Sequence, residues 1–476
     1  MSSAWWNGLR GLARQGLNSA AFFGLATFLT PNEFGMGSIA VAAGMLGRLV
    51  LDRGLRNATI QTPNLSSEYL ETAWTLNALL GVLLACIFGG IGWGIAAVFR
   101  KSALGWLIAA AGGLPLLAGL SSVAEGYLER EFRQRQLGFA QALSSAFGGG
   151  LALLLAWRGA GAWSLLALNM GECAALVVST NVLAGGISRI HVDLEMARKQ
   201  IAFVWPIAAA NVLYGALPRV ALLAVGSAFG SAAAAQFRVG FQVYQLLVQV
   251  AVMPIVRALL PVMSHHDGDL RSAYTKVVSA YAGFCAPVFF GAAAICPIVI
   301  QMTLGDKWIA AGNLGALMCF AAVGGFACQP LEAALVVVGN SRSALALALW
   351  DTAIGLVMVG GGAAFSVYGV AAGLVVQGVA GVGLAATFSR HHLGSSAWGG
   401  VAPVVLYSLA GLVTFATARL ILLESGSLSS VAAVGLATLG GVAAYFGLVR
   451  IGVRRIAPTI YWSAANILPI QLRVFM

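Results

Sequence analysis

Charge is what this sequence has least of. Asp, Glu, Lys and Arg fill 9% of its 476 positions, whereas a soluble domain carries roughly 25%. Too few charges exist to cover a water-facing surface, which excludes a soluble enzyme and a disordered regulator. Lysine is rarer still: Lys101, Lys199, Lys276 and Lys307 each follow Arg, Thr or Asp. No Gly-Lys pair occurs, so the loop that cradles nucleotide phosphates is missing. The six cysteines contain no C-x-x-C and most sit in apolar runs, where they read as small core residues rather than a disulfide scaffold. The five histidines form no H-E-x-x-H frame, so neither a metal nor any other cofactor is expected. A nucleophile elbow is lacking as well. No connecting segment could fold as a soluble domain; the longest are near 53–72 and beyond 450.

What the chain does have is apolar length. Hydrophobic residues make up 59% of it, and a bilayer-crossing helix needs about 20 of them in succession. Fourteen such runs are legible, near 5–29, 34–52, 73–99, 104–125, 138–157, 162–186, 201–224, 234–262, 277–301, 311–338, 344–367, 369–389, 400–421 and 430–449. Arg10 and Arg14 interrupt the first, and no A-x-A site follows it, so it reads as a span rather than a signal peptide. The fold class expected is an all-α polytopic membrane protein. Seventeen Lys and Arg fall in the even-numbered turns and the C-terminal tail, against five in the odd-numbered turns. That bias places both termini in the cytoplasm. It also accounts for part of the net charge of +11, which in a soluble protein would suggest nucleic acid; no nucleic-acid partner is expected here.

Spans 1–6 and 7–12 can be overlaid. Leu29-Thr30-Pro31-Asn32-Glu33-Phe34-Gly35 precedes span 2, and Gly230-Ser231-Ala232 with Gln236-Phe237-Arg238 stands at the matching place before span 8. The expected division is a first six-helix lobe over 1–199, a second over 200–395, and a two-helix appendix with an interfacial tail over 396–476, the lobes enclosing a central cavity.

Charges at bilayer depth are costly and usually face a partner or a cavity. Span 1 carries Asn7, Arg10, Arg14 and Asn18 at helical spacing, and span 8 carries Arg238, Gln242, Gln245 and Gln249, with Arg257 two turns on. Span 7 holds Arg219; span 2 holds Arg48, with Asp52 one turn away. The stripes either pair locally and snorkel, or line a cationic lumen. The lumen is the better account, because Arg and Gln together suit a ligand bearing phosphate and sugar hydroxyls. Glu172, Glu332 and Asp351 lie in or near apolar runs. They read either as ion-coupling acids or as partners for the arginines.

Several segments carry a family resemblance. They are the Leu29–Gly35 run; Gly54-Leu55 with Ala58-Thr59-Ile60-Gln61, then Leu65, Leu70, Thr72 and Leu76-Asn77; Leu128-Glu129-Arg130-Glu131-Phe132-Arg133 with Leu143-Ser144-Ser145; Leu304-Gly305-Asp306-Lys307-Trp308; and Gly339-Asn340-Ser341-Arg342. The chain resembles the Wzx-type, colanic-acid-exporter-like polysaccharide flippases of the multidrug/oligosaccharidyl-lipid/polysaccharide exporter superfamily. The resemblance implies two six-helix lobes and two extra helices around a cavity, and no catalytic residues. It implies export of a polyprenyl-diphosphate-linked oligosaccharide across the bacterial inner membrane, for exopolysaccharide or lipopolysaccharide synthesis. The implied partners are that lipid-linked substrate, membrane lipids, and a polysaccharide polymerase with its export machinery. Two alternatives stay open: a drug or metabolite antiporter of the same superfamily, and a membrane-embedded glycosyl transferase or polymerase.

Overall fold

The computed structural model describes residues 2–51, 54–62, 65–98, 102–186, 190–256, 270–394, 397–425 and 429–453. Every regular element among them is helical. Among the described residues, twelve helical stretches are long and apolar enough to cross a membrane. Two further long helices, Ser2–Phe28 and Leu194–Phe229, stand where the sequence places spans 1 and 7. The second of these carries only a shorter apolar stretch, Gly215–Phe229. The chain is an all-α, multi-pass membrane protein.

It divides into two compact units, Met1–Ala235 and Gln236–Met476. In the first, α1 (Ser2–Phe28), α2 (Pro31–Leu51), α3 (Gly54–Gln61), α4 (Ser67–Val98), α5 (Ser102–Ala111), α6 (Gly113–Arg130), α7 (Gln134–Trp157), α8 (Trp163–Leu183) and α9 (Leu194–Phe229) follow in order. Helix α2 starts at a capping box. The Glu33 backbone N–H donates to Thr30 Oγ1 (3.3 Å), and the Thr30 N–H donates back to Glu33 Oε2 (3.0 Å). Pro31, at the first helical position, has no N–H to leave unsatisfied. Two residues past the box, Gly35 lies so close to the Ser231 backbone that any side chain would collide with it. Helix α2 packs against α5, α6, α8 and α9, and its interior contacts include Ala40, Leu107, Ala111, Leu114 and Leu166. Helix α4 shows the opposite pattern. Leu79, Val82, Leu83, Ile87, Ile91 and Trp93 are exposed, an apolar face suited to lipid rather than water.

The second unit contains most of α10 (Ser231–Leu247), which runs into a π-helical turn, Val248–Val252. Then come α11 (Leu270–Leu304), a 3₁₀ turn at Asp306–Trp308, α12 (Ile309–Phe320), α13 (Ala322–Val337), α14 (Ser341–Ala363), α15 (Val367–Leu393), α16 (Ala397–Glu424) and α17 (Ser430–Leu448). Its core is aromatic: Tyr274, Tyr281, Phe289, Phe326, Tyr407 and Tyr445 are all buried. Phe326 meets the rings of Tyr281 and Phe289 edge-on at 5.9 and 5.8 Å. The Tyr445 hydroxyl donates to the Gly283 carbonyl at 2.6 Å, so this polar group is not stranded in an apolar interior.

Several segments that carry the resemblance act here as folding punctuation. Gly305 takes φ 86° and starts a turn that seats Trp308 in full burial. Gln236 ties that turn down, donating to the Lys307 carbonyl (2.7 Å) and accepting from the Ala311 N–H (2.8 Å). Asn340 caps α14, its Oδ1 accepting from the Ser343 N–H at 3.2 Å.

Candidate functional site

In the first unit four helices converge on one carboxylate. Arg14 and Asn18 lie one turn apart on α1 and so share a face. Arg14 donates from Nε (3.0 Å) and Nη2 (2.8 Å) to Glu172 Oε1 on α8. Asn18 Nδ2 donates to Glu172 Oε2 at 3.2 Å. Ser145, on α7, donates its hydroxyl to Oε1 at 2.9 Å. Arg48, on α2, donates to the thiol sulfur of Cys173 at 3.4 Å and is close enough to act on Glu172 electrostatically. Gly148 makes the geometry possible. A Cβ there would stand 2.5 Å from the Leu168 carbonyl oxygen and 2.6 Å from the Glu172 nitrogen, so only glycine lets α7 approach α8 at this level.

Arg14 bonds to the carboxylate directly, and Arg48 acts on it from α2. The Glu172 side chain is 12% exposed and that of Arg14 is 32% exposed, so the cation is the more accessible partner. Charge-assisted bonds of this kind contribute about 1.5–3 kcal/mol each. Asn18 Oδ1 is buried without a hydrogen-bond partner; the amide is oriented for its N–H to serve the carboxylate.

A second charged cluster lies where two of the resemblance segments meet. Arg56, on α3, donates from Nη1 to Glu125 (3.1 Å) and from Nη2 and Nε to the two oxygens of Glu129 (2.6 and 3.1 Å), both on α6. Glu125 also accepts from Ser121 (3.2 Å) and from Gln141 (3.3 Å). Arg130 donates to the carbonyls of Thr59 and Thr62 at the end of α3, satisfying helix-end acceptors. Phe132, just past α6, is held at φ 54° and is 89% exposed.

The remaining expected site residues are dispersed. Arg219 donates to the Gly215 carbonyl of its own helix. On α10, Gln242 is buried while Arg238 and Gln245 are half-buried. Gln249 is exposed and lies in the π-helical turn, which breaks the register that the 238–249 spacing assumes. Asp351, on α14, accepts from Gln377 Nε2 on α15 at 2.8 Å. Its charge also acts on Glu332 of α13. Arg257 and Asp52 lie outside the described residues, as do the side chains of Asn7 and Arg10. A cavity of about 540 Å³ opens in the second unit among α11, α16 and α17, lined by residues that include Phe284, Pro287, Gly291, Ala418, Gly441 and Phe446. Its two threonines, Thr414 and Thr438, bond to carbonyls of their own helices at 3.2 and 2.8 Å, so the lining is almost entirely hydrocarbon.

Residues 25–312 match the family described as polysaccharide biosynthesis protein, a stretch covering well over half the chain. The chain belongs to that family. Among its relatives is an uncharacterized membrane protein in the cps region of Klebsiella pneumoniae, 21% identical over 352 residues, covering 71% of this chain and 70% of that one. The teichuronic acid biosynthesis protein TuaB of Bacillus subtilis (strain 168) is 20% identical over 371 residues, covering 74% of each. Among solved structures, the lipid II flippase MurJ in an inward closed conformation superposes with a TM-score of 0.75 at 11% identity, over 96% of this chain and 99% of that one. The family and the fold are therefore those that the segments implied. Spacing alone does not reveal Ser145 as a hydrogen-bond donor to Glu172, and it does not reveal Glu125. Glu125 and Glu129 are one turn apart at the end of a span, and that repeat of acids was the available signal.

Proposed function

We propose that the chain is a transporter that flips polyprenyl-diphosphate-linked oligosaccharide repeat units across a bacterial inner membrane by alternating access, and that it makes or breaks no covalent bond. The observation that carries this reading is the cluster in which Arg14 and Arg48 act on Glu172, with Arg48 and Glu172 inside membrane-crossing helices. Moving a diphosphate through a low dielectric without a cation is prohibitive. A guanidinium supplies both charge and a fork of donors matched to phosphate oxygens. On this reading Arg14, Asn18 and Arg48 meet the diphosphate. The lipid tail remains in hydrocarbon, and the apolar cleft among α11, α16 and α17 suits it. Glu332 and Asp351 are the pair assigned to ion coupling. Both termini face the cytoplasm, and the flipped product passes to a polymerase and export machinery.

The test is a deletion strain scored for lipid-linked repeat units by leaflet. The reading expects units trapped on the cytoplasmic leaflet and restored export on complementation. Units that reach the outer leaflet unaided in the deletion strain would sink it.

A further inference from the structure

We infer that Glu172 is a built-in stand-in for the substrate's phosphate: an internal counter-ion that occupies the anion position of an empty binding site and must give it up when a diphosphate arrives. The inference rests on the reading that Arg14 meets the diphosphate, and it adds how that meeting is controlled.

The argument starts from donor geometry. Arg14 Nε and Nη2, Asn18 Nδ2 and Ser145 Oγ all point at the two oxygens of Glu172, at 2.8–3.2 Å. A carboxylate accepts at about four lone-pair sites, and four donors come from two separate helices, α1 and α7. The same convergence of a guanidinium edge, an amide N–H and a hydroxyl would hold a phosphoryl oxygen. The Asn18 amide sharpens the point. Its carbonyl oxygen is buried without a partner, so its orientation is set by the anion alone.

The second step is exchange. Arg14 is the accessible member of the pair and Glu172 the enclosed one. An incoming anion therefore meets the guanidinium first and competes with Glu172 for it. The charged groups that act on Glu172 are Arg14 from α1 and Arg48 from α2; α7 contributes the neutral Ser145. Because Arg48 remains beside it, Glu172 does not become a lone buried charge when Arg14 turns to the ligand. The ion pair thus neutralises an empty site and sets a threshold: only an anion stronger than one carboxylate displaces it. A diphosphate meets that condition, whereas a monocarboxylate or a neutral sugar does not.

The experiment titrates inorganic pyrophosphate into the purified full-length chain in lipid nanodiscs at low salt, read by tryptophan fluorescence and checked by calorimetry. Glu172→Gln removes the competitor and is expected to tighten binding by about tenfold or more, which is about 1.4 kcal/mol. Glu172→Asp keeps the charge but withdraws it by one methylene and should give a smaller gain, which keeps the test alive where the Gln variant does not fold. Arg14→Met should weaken binding by about tenfold, and Arg14→Met combined with Glu172→Gln should show no gain over Arg14→Met alone. Unchanged affinity in both Glu172 variants, together with loss in Arg14→Met, overturns the counter-ion role and leaves the anion site standing. Absence of pyrophosphate binding in every variant, Glu172→Gln included, overturns the anion site itself.

Discussion

Arg56→Met is the substitution whose consequence is most fully determined by the structure. The guanidinium makes three charge-assisted bonds to Glu125 and Glu129, at 2.6–3.1 Å. The side chains are 21% exposed for Arg56, 5% for Glu125 and 21% for Glu129, so solvent replaces the lost cation only in part at Glu129 and hardly at all at Glu125. Methionine fills most of the volume and carries no charge. The two acids then remain close together with only Ser121 and Gln141 as neutral donors to Glu125. Removing one partner of a buried ion pair costs about 3–5 kcal/mol. For a unit of this size each kcal/mol lowers the melting temperature by about 2–4 °C, so the expected drop is about 6–20 °C. Five of the six cysteines are buried and Cys86 is exposed, so a thiol-reactive maleimide reports unfolding as a rise above the Cys86 baseline. Adding Glu125→Gln to Arg56→Met should recover about half the deficit, because one uncompensated charge is removed. A melt within about 2 °C of wild type, or no recovery in the double variant, would refute the reasoning.

Three further outcomes follow from the same geometry. Gly148→Ala forces α7 off α8 and should cost about 1–3 kcal/mol, read in the same melt, whereas Gly150→Ala, with open space at its Cβ, should be silent. Phe132→Gly relieves a left-handed backbone and should stabilise by about 1 kcal/mol; a destabilised variant would show that the exposed ring is held by contacts worth more than the strain. Gly291→Leu places a side chain into the apolar cleft, where the new Cβ meets only Thr414 at 3.9 Å. It should cut export while leaving the melt unchanged, and full export would remove the cleft from the substrate path.

The helices were readable from the sequence because a bilayer imposes its thickness on apolar runs, and each expected span has a helix over it. Breaks inside those runs are harder to read. Nothing in the local composition announces the π turn at Val248–Val252, and the Gly112-Gly113 and Pro115 that separate α5 from α6 lie within one long apolar run. Helix-on-helix packing decides such details. The site was legible in part for the same reason. Spacing placed Arg14 and Asn18 on one face, and they do reach the same carboxylate. Their partner lies 158 and 154 residues away, and no periodicity encodes a contact between helices that far apart. Cys173 read as a small core residue and is buried; its bond to Arg48 depends on α2 and α8 meeting. The Arg56 cluster shows what the resemblance segments do physically: one supplies the cation, another supplies Glu129 and Arg130.

The measurement closest to the central claim is leaflet exchange by the purified protein in liposomes. A polyprenyl-diphosphate oligosaccharide is loaded in both leaflets, and a membrane-impermeant glycosidase scores the outer pool. The account predicts that wild-type protein brings nearly all of the lipid to the enzyme, and that Arg14→Met leaves about half protected, as in protein-free vesicles. Equal exchange by wild type and Arg14→Met, or none by wild type, would contradict it.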